Sequence, residues 1–227
     1  MSLPALFCGP PPDRATFISR HAVEFSPEQW LDRLPEPWMF DLLADIPVLD
    51  GNRWPRITRE YLFDLADKIG SPEKAVQFYV AVSAWGAGTK ARLVVRRVRV
   101  LRDNRHAGER LLAGIRLAET SPVGAYKAFR RAGEHSLLHL GPAFFTKVIY
   151  FAGWPEHEGI IPKPLILDQY VAAALNNITD LNWPSTWNWT AGQYEHYLHL
   201  APEWASEWRC EPDVIERTLF EHGKTLR

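Results

Sequence analysis

Two residues able to do chemistry stand in unusual surroundings. Lys147 lies among Phe144, Phe145, Val148, Ile149 and Phe151, and Asp168 follows Pro164-Leu165-Ile166-Leu167 and precedes Gln169-Tyr170-Val171-Ala172. An ammonium in an apolar stretch must reach water, a partner or a cleft. If buried it tends to lose its proton, which is the state a nucleophilic amine needs. A carboxylate where a helix begins is kept ionised by the free N–H groups of the first turn. Taken singly, a snorkelling lysine and a simple helix cap are the competing meanings.

Ahead of this pair the chain reads Leu140-Gly141-Pro142, between a helix expected to end near Gly133 and an apolar helix expected from about Ala143 to Ala152. Two helices joined by a glycine turn are a helix-hairpin-helix candidate, with a plain helical hairpin as the more common meaning. Backbone N–H groups at this turn, with the positive end of the following helix, could hold a DNA phosphate without net basic charge, which makes Leu140, Gly141 and Pro142 the candidate DNA-binding segment. The whole chain carries a formal charge of −1, yet nine basic residues between Lys90 and Arg116 face only Asp103 and Glu109. Such asymmetry suits a protein that meets a polyanion with one face, Arg96 and Arg97 being expected contacts. The other meaning is a solvated arginine-rich helix pair with structural salt bridges.

The elements that must position these residues are legible from their caps. Ser26 with Gln29 and Thr190 with Gln193 have the spacing of capping boxes, and Ser71-Pro72, Ser121-Pro122 and Pro212 open further helices. Gly86 and Gly223 are the expected stops of two of them. The β-branched run from Val94 to Val100 is read as one helix with a basic face. The sum is an all-α fold of about ten short helices around a cleft, expected to form a single domain over residues 1–227, with two helical lobes as a variant. Phe151, Trp154 and Trp187 are the candidate base-stacking pocket, with Trp183 and Trp189 also considered and Trp85 on the opposite wall. Core packing accounts for at least half of them.

Composition bounds the class. The chain is 46% hydrophobic and 23% charged, an ordinary soluble profile, without a signal-like start or an apolar run of membrane-spanning length, so a cytoplasmic, monomeric protein is expected. Cys8 and Cys210 are too few and too far apart for a zinc ribbon, an iron–sulfur cluster or a disulfide framework. His135 and His139, with Glu156-His157-Glu158, could be drawn as a metal site, but no third histidine has helical spacing. The expectation is no metal and no cofactor.

The order of glycine hairpin, lysine-bearing helix, proline-bearing loop, apolar run and aspartate at a helix start, from Leu137 to Leu175, resembles the helix-hairpin-helix DNA glycosylase superfamily, and within it the 8-oxoguanine DNA glycosylase group. The resemblance implies duplex DNA as partner, a flipped-out base, Lys147 as attacker of the sugar and Asp168 as its activator. It implies an oxidised purine as substrate, or a hypermodified phage cytosine, since some relatives act in antiviral defence, with lyase activity if the lysine attacks. A non-catalytic helix-hairpin-helix DNA-binding protein is the rival. Two departures stand out. His139 occupies the place of the first hairpin glycine, and Lys147 lies six positions after Gly141 where the family lysine lies two after. Four residues are roughly one helical turn, so Lys147 either faces the same side one turn deeper or is a different lysine.

Overall fold

The computed structural model describes residues 3–154 and 162–226. They form an all-α protein. Its single sheet among the described residues is the antiparallel pair β1 (Ala22–Glu24) and β2 (Arg56–Thr58), with Val23 opposite Ile57. The helices are α1 (Pro27–Leu31), α2 (Asp41–Ala44), α3 (Arg59–Ala66), α4 (Pro72–Ala87), α5 (Ala91–Arg102), α6 (Ala107–Ala118), α7 (Pro122–Phe129), α8 (Pro142–Gly153), α9 (Gln169–Ile178), α10 (Ala191–Trp208) and α11 (Pro212–Thr225), with short 3₁₀ and π turns before them in the N-terminal part. Among the described residues no helix is long and apolar enough to cross a membrane.

α4 is the axis of the core. Every residue from Ala75 to Trp85 is buried, as expected of a helix apolar all round, and it packs against α3, α5, α6 and α8. α8 is buried from Phe145 to Gly153 and crosses α3, α4, α6 and α7. α9 lies along α11, which α10 covers in turn. The buried apolar side chains of all these helices form one connected cluster.

Caps behave largely as their spacing predicts. Thr190 and Gln193 form the reciprocal box, and Ser71 and Ser121 cap α4 and α7. Ser26 accepts from Gln29 N, but the Gln29 amide turns to Thr89 O, so only half of that box exists. The basic β-branched run is the helix α5.

Two glycines expected as stops lie inside helices instead. α4 ends on Gly88, whose φ is +56°, while Gly86 sits where another helix comes close. α11 runs past Gly223 to Thr225, and a Cβ at Gly223 would lie only 1.9 Å from Tyr170 O. That glycine lets α11 touch the first turn of α9. A glycine in a helix costs about 0.5–1 kcal/mol against alanine, so both are places where backbone approach outweighs propensity.

Candidate active site

Lys147 and Asp168 come together although 21 residues separate them: Nζ lies 3.3 Å from Asp168 Oδ2. The two side chains are 9% and 10% exposed, a pair at the edge of the interior. Asp168 is indeed the N-cap of α9, and its two oxygens divide the work. Oδ1 accepts from Tyr170 N and Val171 N at 3.0 and 3.3 Å, which leaves Oδ2 for the lysine. Cap and charge partner are therefore one carboxylate, not alternatives.

Lys147 also donates to Ala143 O at 2.8 Å, one turn back along α8. Side chains of a helix lean toward its N-terminus, so a lysine one turn deeper delivers its ammonium beside position 143, two after Gly141. The stem runs over Gly86, where a Cβ would stand 3.1 Å from Lys147 Cδ and 3.0 Å from the Phe144 ring.

The segment before Asp168 has no regular secondary structure and is buried, with Leu165, Ile166 and Leu167 at most 1% exposed. Such backbone must find partners outside secondary structure. Thr146, next to Lys147, supplies them: its hydroxyl accepts from Leu167 N at 3.2 Å and donates to Pro142 O at 2.7 Å. Tyr194 donates to Leu165 O at 2.9 Å. These bonds fix the approach of Asp168 to α8, and sequence reading passed over both residues.

The hairpin is strapped down by the corner between α5 and α6. His139 takes the left-handed conformation, φ +70°, which glycine adopts more readily than other residues. Its ring is held by Asp103 Oδ2 at 2.8 Å. Asn104 bonds Leu138 N and O, and Arg110 donates to Ser136 O. Gly141 caps α8 with no side-chain bond and Pro142 has no N–H, so the helix rule leaves Ala143 N–H without an intrahelical partner. Leu140 is buried beneath the turn, whereas Gly141 is exposed.

Arg96 and Arg97 have opposite fates. Arg96 is exposed, as are Lys90, Arg92, Arg99, Arg102, Arg105 and Arg110. Arg97 is 3% exposed, lies 3.9 Å over the Phe144 ring and donates to His139 O, so it supports the hairpin from inside and is no surface contact for phosphate. A count of charges could not separate them; the 3.6-residue period, which puts position 97 with Val94 and Leu101, could.

The expected stacking pocket is not assembled. Phe151 is fully buried between Phe63, Trp85 and Tyr150, and Trp154 is buried with Arg14 and Lys163 over its ring. Trp187 is 69% exposed in the loop between α9 and α10. Trp183 and Trp189 pack within the same loop, where Trp189 Nε1 donates to Pro184 O. The pair of histidines drawn as metal ligands shares no helix face, because residues 135–139 lie outside any helix and His139 is taken by Asp103. Glu156, His157 and Glu158 lie outside the described residues.

Behind the pair lies an ionic network that sequence reading missed. Arg59 Nη1 donates to Glu216 at 2.8 Å and to Tyr150 at 3.0 Å, and Tyr150 donates to Asp213, which also pairs with Arg14. Arg59 and Glu216 are each 1% exposed. Burial holds the Glu216 carboxyl above the usual range against the pull of Arg59, with Asp168 and Lys147 close enough to act on it. One sequence signal existed: Arg59 opens α3, where a cation opposes the helix dipole and calls for an anionic partner.

No curated protein and no solved structure matches the chain. The family model described as "Putative 8-oxoguanine DNA glycosylase OGG-like protein" matches residues 16–220, and the chain belongs to that family.

Proposed function

We propose that this protein is a DNA glycosylase in which Asp168 and Lys147 break the glycosidic bond of a base flipped out of duplex DNA. The observation that carries the reading is the ion pair of 3.3 Å between Lys147 of α8 and Asp168, the N-cap of α9, beside a hairpin whose following helix leaves the Ala143 N–H without an intrahelical partner. The duplex docks by a phosphate at Gly141 and the N-terminus of α8, with Arg96 and the other exposed basic residues of α5 and α6 adding long-range attraction. The base leaves the stack because C1′ is unreachable in a duplex. Positive charge then develops on the sugar, opposite the Asp168 carboxylate.

Lys147 adds a second route. Its amine, once its proton has passed to Asp168, attacks C1′; the base departs, and the resulting imine supports strand cleavage by elimination. The substrate is an oxidised purine or a hypermodified phage cytosine, the setting accordingly repair or antiviral defence, and the protein acts as a cytoplasmic monomer without a cofactor.

The test is abasic-site counting on DNAs that carry normal, oxidised or glucosylated bases, with the wild type and Asp168→Asn. Aldehyde-reactive sites that form on one DNA and vanish in the variant support the reading, and trapping of a protein–DNA adduct by borohydride assigns the lysine route. Salt-sensitive binding with no sites on any DNA would replace it by a non-catalytic DNA-binding role.

A further inference from the structure

One face of α11 reaches both halves of the reactive pair. Asp213, Glu216, Phe220 and Gly223 recur every three or four residues, so they line one side of the helix. Near its N-terminus Asp213 accepts from Tyr150 at 3.1 Å, and Glu216 accepts from Arg59 of α3 at 2.8 Å, with Arg59 also donating to Tyr150. Tyr150 lies one turn beyond Lys147 on α8. Nearer the C-terminus the Phe220 ring meets Tyr170 edge-on at 5.3 Å, and Gly223 admits the Tyr170 backbone. Tyr170 N is one of the two amides that hold Asp168 Oδ1. The same face of α11 therefore grips the lysine helix through Tyr150 and the aspartate helix through Tyr170.

Stability alone does not account for the ions in this grip. A buried ion loses several kcal/mol of hydration, and a buried pair is often no more stabilising than apolar residues of the same volume. What distinguishes Arg59 and Glu216 is their surroundings. The groups that face Glu216 are Arg59 from α3, Lys147 and Tyr150 from α8, Asp168 at the start of α9, Tyr197 from α10, and Asp213 and Arg217 on α11 itself. Asp213 is already paired with Arg14. Burial raises both phenols well above their usual value, and guanidinium groups keep their protons. The charges left to respond to one another are those of Glu216, Lys147 and Asp168.

We propose that Glu216 is a positioning residue of this site, a fixed negative charge that, paired with Arg59, decides whether the proton shared by Lys147 and Asp168 rests on the amine or on the carboxylate. The inference rests on the glycosylase reading above and concerns its lysine route. In that route Nζ gives its proton to Asp168 Oδ2, and the freed electron pair adds to C1′. Glu216 exchanges no atom. With Glu216 ionised the four side chains balance, Lys147 and Arg59 against Asp168 and Glu216. Without its charge the permanent cation of Arg59 stands alone behind the pair and favours the free amine. Without Arg59 the Glu216 carboxylate favours the ammonium, by the same effect with the opposite sign.

The experiment follows adduct formation with a duplex that carries one abasic site, a probe with no base to excise. Nζ adds to C1′ of the opened sugar, water leaves, and cyanoborohydride delivers hydride to the imine, which fixes protein to DNA. Initial rates from about pH 5 to 9 are compared between proteins at each pH, which removes the reductant's own pH dependence. The pH of half-maximal rate should move down by about half a unit or more in Glu216→Gln, which keeps an acceptor for Arg59 and removes only the charge. It should move up in Arg59→Met. Glu216→Asp, which keeps the charge, and the double variant Arg59→Met/Glu216→Gln, which removes both, should lie close to the wild type. Should Arg59→Met fail to fold, Glu216→Gln and the double variant carry the test, since the latter leaves neither partner charged and alone. Equal midpoints in all proteins, or shifts of the same sign in Glu216→Gln and Arg59→Met, overturn the inference and leave the lysine route standing. A wild type that forms no adduct, or an adduct that survives Lys147→Met, defeats that route of the glycosylase reading, and the inference with it.

Discussion

The stem of Lys147 rests on Gly86: a Cβ added there would come within 3.1 Å of Cδ and 3.4 Å of Cε. The missing side chain on α4 is thus what lets a lysine lie flat along the helix crossing and turn its ammonium to Asp168.

Gly86→Ala should therefore separate stability from function. Alanine gains about 0.5–1 kcal/mol of helix propensity, which offsets the few tenths of an ångström by which Lys147 and Phe144 must give way. The melting temperature should stay within a few degrees of wild type. Excision should fall on the order of tenfold, because reacting groups displaced by a fraction of an ångström lose much of their advantage. Gly86→Val should cost both. Full activity in Gly86→Ala would remove the lysine position from the mechanism.

Removing one member of the buried pair strands the other. Lys147→Met should destabilise the fold by about 3–5 kcal/mol, since it leaves Asp168 charged with one oxygen unpartnered by any cation. Asp168→Asn should cost less, because asparagine caps a helix as well as aspartate does. Adding Asp168→Asn to Lys147→Met should restore much of the loss. Urea denaturation of the four proteins gives the coupling energy, and additive losses would mean that the two charges do not depend on each other.

Arg96 and Arg97 are neighbours with different duties, and variants should part them. Arg96→Ala should leave stability unchanged and reduce the salt dependence of duplex binding by about one counterion. Arg97→Ala removes a buried guanidinium from the Phe144 ring and from His139 O, and should lower stability by about 2–4 kcal/mol and loosen the hairpin. Salt-gradient binding with parallel thermal melts checks both. Equal effects of the two on binding alone would contradict the buried placement.

These contrasts mark what the sequence disclosed. Periodicity and caps sufficed to place α4, α5, α7, α10 and α11, and the order from hairpin to aspartate singled out Lys147 and Asp168, which the fold brings within 3.3 Å, because those signals are local or lie on adjacent elements. Thr146, Tyr194, Arg59 and Glu216 stayed hidden because their meaning is tertiary. Arg59 and Glu216 are 157 residues apart, and nothing near either one names the other. The tryptophans misled for the opposite reason: an aromatic side chain suits core and pocket equally, so type alone cannot choose between Trp189, fully buried, and Trp187, exposed. Gly86 and Gly223 look like helix stops until the helices they face are known.

His21 supplies a prediction about pH. Its imidazole is pushed from 6.5 down to about 3 in the fold by burial and by the cations Arg59, Arg217, Lys224 and Arg56. The unfolded chain therefore binds a proton on His21 at a higher pH than the folded chain does. The stability due to its neutral form is fully present above about 6.5 and is lost as the pH falls toward about 3. Other groups titrate over that range in any protein, so the quantity to read is the difference from His21→Gln, which has no such proton to take up. The wild type should lose more unfolding free energy than the variant between pH 7.5 and pH 5, at a rate approaching roughly 1.4 kcal/mol for each pH unit below the unfolded value. Parallel curves would mean that His21 takes up its proton equally in the folded and unfolded chains, with no effect from the surrounding cations.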